Sequence, residues 1–307
     1  MMEEQLILAR WALYVDLGLL FGFPLFSLYS GRGGAAAMAL RLRLPVVFLA
    51  LAAMFISAWS LLIMTATMIG ATLLTLDREA LGMILTETNV GWAFAVRLAA
   101  LLMVIAFAIG SKLRGTASVA GVSLFAGIAL ASLAWNGHGV ATEGSLGYVH
   151  LASDIVHLFA ASAWIGALAA FLWTTAASYR DIPGAIEGAH GALAGFATAG
   201  TVMVGLIVLT GLINSWILVG PEHILSLGAT SYGRLLMIKL ALFAVMLALA
   251  TANRFRLTPG LKTGIVRGDS EGAIARLRRS LWLEAGAGIA ILALVAWLGT
   301  LPPPAAG

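Results

Sequence analysis

The chain has 307 residues, of which 61% are hydrophobic and 10% are charged, and its mean hydropathy is +0.99. Soluble globular domains do not have such a composition, so the sequence predicts a polytopic membrane protein. The absence of cysteine excludes disulfides and thiolate metal sites and leaves methionine as the soft metal ligand. The net charge of +4 does not indicate nucleic-acid binding, because the basic residues are concentrated in a few connections between apolar segments.

Eight apolar segments are long enough to cross a hydrocarbon core of about 30 Å, and we call them spans 1 to 8. In chain order they cover residues 5–29, 45–74, 91–111, 118–136, 149–176, 195–219, 232–253 and 281–300. The predicted fold is therefore an all-α membrane protein with eight transmembrane helices, in which residues 1–307 form a single transmembrane domain.

The basic residues are divided unequally between the two sets of connections. Thirteen Lys and Arg lie in one set, at 30–44, 112–117, 177–194 and 254–280. The opposite set holds a single one, Arg78. By the positive-inside rule the first set faces the cytoplasm, so both termini are predicted on the outer side. The longest and most basic connection, 254–280, is expected to be a loop that contacts anionic headgroups.

A short pattern recurs in spans 3 and 7, as Thr88-x-x-Gly91-x₅-Arg97-Leu-Ala and Thr230-x-x-Gly233-x₅-Lys239-Leu-Ala. Both spans run from the outer to the inner side in the predicted topology. The match therefore predicts two parallel four-helix repeats, with halves at 1–136 and 149–300. Chance similarity between two apolar helices is the alternative interpretation.

Asp16 lies near the middle of span 1, where an isolated carboxylate is energetically costly. We expect it to pair with a cation inside the bundle, either Lys239 or Arg97. Two roles are open for this residue, a structural ion pair and a proton relay.

Met64 and Met68 lie one helical turn apart near the predicted outer end of span 2. Their thioethers therefore share one face of the helix. Thioethers select Cu(I) over hard ions, which makes the pair candidate metal ligands. Methionine also fills gaps in hydrophobic cores, and this alternative stays open.

Three of the five histidines fall in a short stretch around the start of span 5: His138, His150 and His157. On a helix His150, Asp154 and His157 lie within about 60° of one another, so they share a face. The rise between His150 and His157 is roughly 10 Å, so one ion can bridge 150 and 154, or 154 and 157, but not all three. Imidazole and carboxylate suit copper, zinc or iron. The alternative is that Asp154 orients a structural histidine and no ion binds.

Span 5 continues with small residues, Ser162, Ala163 and Gly166, which permit the close approach of another helix. Trp164 lies among them and is interpreted either as an interface anchor or as a packing residue. Asn214, near the outer end of span 6, is a candidate for lining a path.

The chain resembles the CopD (PcoD) family of bacterial inner-membrane copper-resistance and copper-uptake proteins. The likeness is clearest over residues 130–260 and rests on the order and spacing of several short motifs. These are Gly137-His138, Asp154-x-x-His157-Leu, Ala163-Trp164-Ile-Gly166, Thr230-x-Tyr232-Gly233-Arg234-Leu-Leu-x-x-Lys239-Leu, and Asn253-Arg254 before Pro259. Gly166-Ala167 stands where many relatives have Gly-Gly, a departure that affects no ligand.

The resemblance implies an inner-membrane protein that handles copper at its periplasmic side, for import, homeostasis or resistance. It also implies a partner, a separate periplasmic copper carrier similar to CopC. With the candidate ligands above, we predict a copper site, for Cu(I), Cu(II) or both, formed by His138, His150, Asp154, His157, Met64 and Met68. We expect His138 and His150, together with Glu143, to receive Cu(II) at the mouth, and the deeper site with Met64 and Met68 to prefer Cu(I).

A haem-binding membrane redox protein similar to b-type cytochromes is the main alternative, because four-helix membrane cores with histidines also hold haem. Bis-histidine haem normally needs histidines on facing helices, whereas here they cluster on span 5 or at loop ends. A haem with one histidine and one methionine ligand stays open as an alternative. A membrane scaffold without metal is a third interpretation.

The sequence carries no phosphate-loop or zincin signature and no candidate hydrolase triad, so we expect neither nucleotide use nor enzyme activity. We expect the protein to lie in the lipid bilayer and to have no nucleic-acid partner. A homo-oligomer is compatible with the sequence.

Overall fold

The computed structural model describes residues 2–30, 34–73, 75–110, 115–137, 144–176, 185–268 and 270–306. Within these ranges the chain is helical and has no strands, which confirms the all-α prediction. Eight of its helical segments are long and apolar enough to cross a membrane, which confirms the eight predicted spans. From here on, spans 1 to 8 are Met2–Tyr29, Arg43–Met68, Asn89–Ile109, Thr116–Asn136, Gly144–Thr174, Gly188–Val219, Ser231–Arg267 and Glu271–Leu298.

Two names describe the ends of the bundle. The histidine end is the end at which span 5 begins, with Gly144 and His150. The basic end is the end at which span 7 is followed by span 8, around Arg267 and Glu271. The placement of the histidine end, and of both termini, on the periplasmic side stays a prediction from the positive-inside rule.

The predicted loop 254–280 is largely helical, and the sequence-based expectation was wrong there. Span 7 continues through a π-helical segment, Asn253–Leu257, into a further helix, Thr258–Arg267. Pro259 lacks an N–H and its ring would collide with the carbonyl four residues earlier in a regular helix, which explains a π segment at this place. The helix ends at Gly268, whose φ of 73° is left-handed, and span 8 begins three residues later.

The recurring motif at spans 3 and 7 forms the same local structure twice. The hydroxyl of Thr88 accepts a hydrogen bond from the N–H of Gly91 at 3.2 Å, and the hydroxyl of Thr230 accepts one from Gly233 at 3.0 Å. Each threonine therefore caps the N-terminus of its span. A Cβ on either glycine would collide with carbonyl oxygens of the short helical segment that precedes the span. The repetition of whole halves, 1–136 and 149–300, stays a prediction.

Span 1 lies at the centre of the bundle and packs against spans 2, 4, 5 and 8. It contributes to two hydrophobic cores. Leu13, Leu17 and Leu20 belong to the core shared with spans 2, 3 and 4. Phe26 belongs to the core shared with spans 5 to 8. Span 1 therefore holds the two groups of helices together.

Spans 1 and 5 cross in close contact, as the small residues of span 5 predicted. A Cβ on Gly22 would collide with the carbonyl oxygen of Ser162, and a Cβ on Gly166 would collide with the backbone of Gly22. In a membrane, such small residues allow two backbones to approach and gain van der Waals contact. This crossing fixes span 5, which carries the candidate ligands, against the centre of the bundle.

Candidate metal site

Asp154 is in contact with partners on both of its carboxylate oxygens. Asn214 of span 6 donates from Nδ2 to Oδ1 of Asp154 at 2.6 Å. Oδ2 of Asp154 lies 3.8 Å from Nε2 of His150, which is fully buried one turn earlier. This second distance is too long for a hydrogen bond. Two ligands of one tetrahedral ion, at bond lengths of about 2.1 Å, stand about 3.4 Å apart, so a small closure would let an ion bridge this pair.

His157 is oriented by span 6. Its Nδ1 lies 2.9 Å from Oγ1 of Thr210, and the hydroxyl of Thr210 donates to the carbonyl of Leu206 at 2.6 Å. Because the hydroxyl has one proton and uses it on Leu206, it accepts from the Nδ1–H of His157. The tautomer therefore places the metal-binding lone pair on Nε2. Metal-binding histidines are commonly oriented by such a hydrogen bond to their other nitrogen.

Lys239 of span 7 brings a positive charge to this site. Its charge acts on both Asp154 and His157 across the bundle. Its side chain, like that of His157, lines a cavity between spans 5 to 8. In the absence of a bound cation, the positive charge of Lys239 partly offsets the negative charge of Asp154.

The expected pairing of Asp16 with Lys239 or Arg97 is not formed. Arg97 donates to Oγ and to the carbonyl of Ser132, at 2.8 and 3.4 Å, and the charge of Lys239 acts on Asp154. Asp16 is 7% exposed, and its Oδ2 has no hydrogen-bond partner in the part of the chain that the structure describes. The sequence gives the depth of such residues but not the direction in which each span turns them.

A cavity of about 630 Å³ lies next to His157, between spans 5, 6, 7 and 8. Its lining is mainly apolar, with His157 and Lys239 as its ionisable residues among those described. Trp164 and Met246 lie at its deeper end. Sequence reasoning missed Met246, although its position seven residues after Lys239 places both side chains on one face of span 7. A thioether in this position is a soft ligand for Cu(I).

A second cavity, of about 360 Å³, lies nearer the basic end and shares Trp164 with the first. Glu284 of span 8 lines it and is 2% exposed. Its carboxylate accepts hydrogen bonds from Nε1 of Trp164 and from Nδ2 of Asn253, both at 2.8 Å. Sequence reasoning also missed Glu284. The signal was available, because an acidic residue inside an apolar span is by default a functional candidate.

Three of the six predicted ligands lie on one helix, and the pair of them that the structure shows close together is His150 and Asp154, at 3.8 Å. His150, Asp154 and His157 follow one another along span 5, and His138 and Glu143 lie outside the described residues. Span 1 packs against both span 2 and span 5 and so separates Met64 and Met68 from this group. The side chain of Met68 is 69% exposed. In the described ranges no three His, Asp or Glu side chains are grouped closely enough to hold a metal ion, and the role of the methionine pair stays a prediction.

Comparison with known proteins gives matches along most of the chain. Residues 1–148 match the family model described as Copper resistance protein D-like, N-terminal domain, and residues 190–298 match Copper resistance protein D. Copper resistance protein D of Pseudomonas syringae pv. tomato is 40% identical over 306 residues, which is 98% of either chain. Inner membrane protein YebZ of Escherichia coli (strain K12) is 30% identical over 176 residues, 56% of this chain and 55% of the relative.

A third relative is Copper transport protein CutJ of Bacillus subtilis (strain 168), which is 29% identical over 180 residues. The match covers 59% of this chain and 30% of the relative. No solved structure matches the chain.

Proposed function

Because the chain belongs to the copper resistance protein D family and is a multi-pass inner-membrane protein, we propose that it binds a copper ion at the histidine end of span 5. The observation that carries this proposal is the environment of Asp154. Its carboxylate is fixed by Asn214 and lies 3.8 Å from His150, inside a bundle that otherwise holds few charges. Imidazole and carboxylate together are suitable ligands for copper.

Asp154 is the shared member of two overlapping ligand pairs. It lies one helical turn from His150 on one side and about one turn from His157 on the other. A copper ion bound by His150 and Asp154 reaches His157 by exchanging one imidazole for the other while it keeps the carboxylate. His157 presents Nε2 to this exchange, since its Nδ1–H is held by Thr210. The ion then enters the cavity lined by His157, Lys239 and Met246.

The direction of entry and the donor follow from the predicted topology. With the histidine end in the periplasm, copper arrives from that side, and His138 and Glu143 are proposed as its first contacts. The proposed donor is a separate periplasmic carrier similar to CopC. At the mouth Cu(II) suits the imidazoles and the carboxylate, and deeper in the cavity the thioether of Met246 suits Cu(I).

The variant Asn214→Leu tests the proposal, because it removes the N–H donor to Asp154 and keeps the side-chain volume similar. Loss of a hydrogen-bond partner behind a metal ligand typically weakens metal binding about 10- to 100-fold. We expect a loss of this size in anaerobic Cu(I) competition titrations of the purified protein. Exposed Asn89, at the start of span 3, provides the matched control Asn89→Leu, which is expected to bind as the wild type does. Wild-type affinity in Asn214→Leu would show that Asp154 is not a copper ligand.

A further inference from the structure

The two cavities lie one after the other in a groove that is lined by spans 5 to 8. On span 5, His157, Ala161 and Trp164 line the outer cavity, and Trp164, Leu168 and Phe171 line the inner one. Their spacing of three and four residues keeps these side chains on a single stripe of the helix. Trp164 belongs to both sets. Its indole therefore lies where the two cavities adjoin, and we call it the partition.

The partition is held by a carboxylate on the opposite side of the groove. Trp164 lies about 10 Å further along span 5 than His157, and its indole N–H donates to Glu284. The second oxygen of Glu284 accepts from Asn253, the first residue of the π-helical segment in span 7. Asn253 is 7% exposed, and its Oδ1 has no hydrogen-bond partner among the described residues. A buried carboxylate and an unpaired amide oxygen thus lie in the lining of one cavity.

We propose that Glu284 and Oδ1 of Asn253 form an inner, oxygen-only cation site, and that copper reaches this site from the outer one past Trp164. The inference rests on the proposed function and extends it from binding to passage through the membrane. In this passage the indole of Trp164 releases Glu284, and the freed carboxylate oxygen becomes available to the ion.

The chemistry of the inner residues fits an ion that is about to leave. Carboxylate and amide oxygens are hard ligands, which hold copper less tightly than the imidazole and thioether groups of the outer cavity. A site on a conduction path must bind strongly enough for an ion to enter and weakly enough for it to leave. The order of ligand types along the groove, from imidazole and thioether to oxygen, therefore makes the inner site one from which copper is released easily, and net movement towards the basic end requires a lower free copper concentration there.

Position and charge also suit an exit. Glu284 lies about 8 Å along span 8 from Arg279. Arg279 belongs to the basic stretch that the positive-inside rule places at the cytoplasmic surface. Arg254 lines the same cavity, but its guanidinium donates to the hydroxyl of Thr201 at 2.8 Å and is exposed at the basic end. The positive charge of Arg254 lowers the residence time of a cation at Glu284. Among the described residues, no cationic side chain forms an ion pair with this carboxylate.

The test uses the full-length protein in proteoliposomes, with Cu(I) supplied outside and a copper-sensitive dye inside. Glu284→Gln keeps the side-chain shape and an oxygen acceptor but removes the negative charge. We expect its outer-site Cu(I) affinity, measured in detergent, to stay within about twofold of wild type while copper entry falls at least about tenfold. The matched control is Glu271→Gln, an exposed residue of the same helix, which is expected to transport as the wild type does.

Trp164→Phe is the second variant and decides the question if Glu284→Gln does not fold. It keeps an aromatic ring but loses the N–H donor to Glu284, so copper entry is expected to rise about threefold. Wild-type rates in either folded variant would overturn the inner site. A wild-type protein that binds copper but passes none into the vesicles would also overturn it and would leave the proposed function standing. A wild-type protein that binds no copper would instead overturn the proposed function.

Discussion

Replacing Asp154 with asparagine is expected to abolish copper binding at the histidine end and, with it, copper-dependent growth or accumulation phenotypes. The substitution keeps the shape of the side chain and an oxygen acceptor for Asn214, so the bundle should still assemble. It removes the one carboxylate that both histidine pairs share. The loss should therefore exceed the roughly 10- to 100-fold effect of removing a hydrogen-bond partner behind a ligand. Single substitutions of His150 or His157 each leave one pair intact and are expected to have smaller effects.

Two controls accompany Asp154→Asn. Asp77 is an exposed residue that caps the short helix Arg78–Glu87, a role that asparagine also fills, so Asp77→Asn is expected to behave as the wild type. His190 lies near the start of the helix that forms span 6, towards the basic end, so His190→Ala should also leave copper binding unchanged. Normal copper affinity and accumulation in a membrane-inserted Asp154→Asn protein would remove the proposed site.

Replacing Lys239 with leucine, which adds no copper ligand, is expected to change stability and copper affinity in opposite directions. Without copper, the variant leaves Asp154 without a compensating charge inside the membrane, so the melting temperature of the purified protein should fall. Copper then binds without competition from the ammonium group. At an effective dielectric constant of about 20, a unit charge lining the same site opposes the ion by on the order of 1 kcal/mol, so Cu(I) affinity should rise about 5- to 10-fold.

The readout for this variant is the melting temperature with and without Cu(I). Copper should raise it more in Lys239→Leu than in the wild type, because tighter binding stabilises the folded state further. The control is Arg234→Leu, since Arg234 is exposed on the same helix and donates to Ser231, away from the cavity. Lower Cu(I) affinity in Lys239→Leu would contradict the account and would show that Lys239 helps to hold the ion.

Local sequence patterns were sufficient for much of the fold. The length of the apolar runs predicts all eight spans, and the small residues around Gly166 predict a close helix contact of span 5, which the structure forms with span 1. The Thr–Gly motifs predict two similar starts, at spans 3 and 7. Each of these features depends on neighbouring residues of one helix, whose geometry is nearly constant.

The pairing of polar groups between helices was harder to predict. A spacing of three residues places Asp154 and His157 on one stripe of span 5. Whether Asn214 and Lys239 face that stripe depends on how spans 6 and 7 are rotated about their axes. The same uncertainty led to the wrong partners for Asp16. Helix ends were also misjudged, since the polar and basic composition of 254–280 resembles a loop while its backbone continues as helix. The local patterns of a single sequence do not contain information on how the helices are rotated against one another.

A bis-histidine haem would require two histidines on facing helices. Inside the described spans near the histidine end, His150 and His157 both belong to span 5, so they do not face each other across a haem. His190 lies towards the opposite end, and His223 lies in the segment Pro221–Ala229. This arrangement favours copper, and a spectrum of the purified protein distinguishes the two possibilities.

The most direct test of the central claim is metal analysis, together with a visible absorption spectrum, of wild-type protein purified without chelator from cells grown with copper. The account predicts that copper copurifies with the wild type, that no Soret band is present, and that the copper is lost in Asp154→Asn. A strong Soret band, or wild-type protein free of copper, would contradict it.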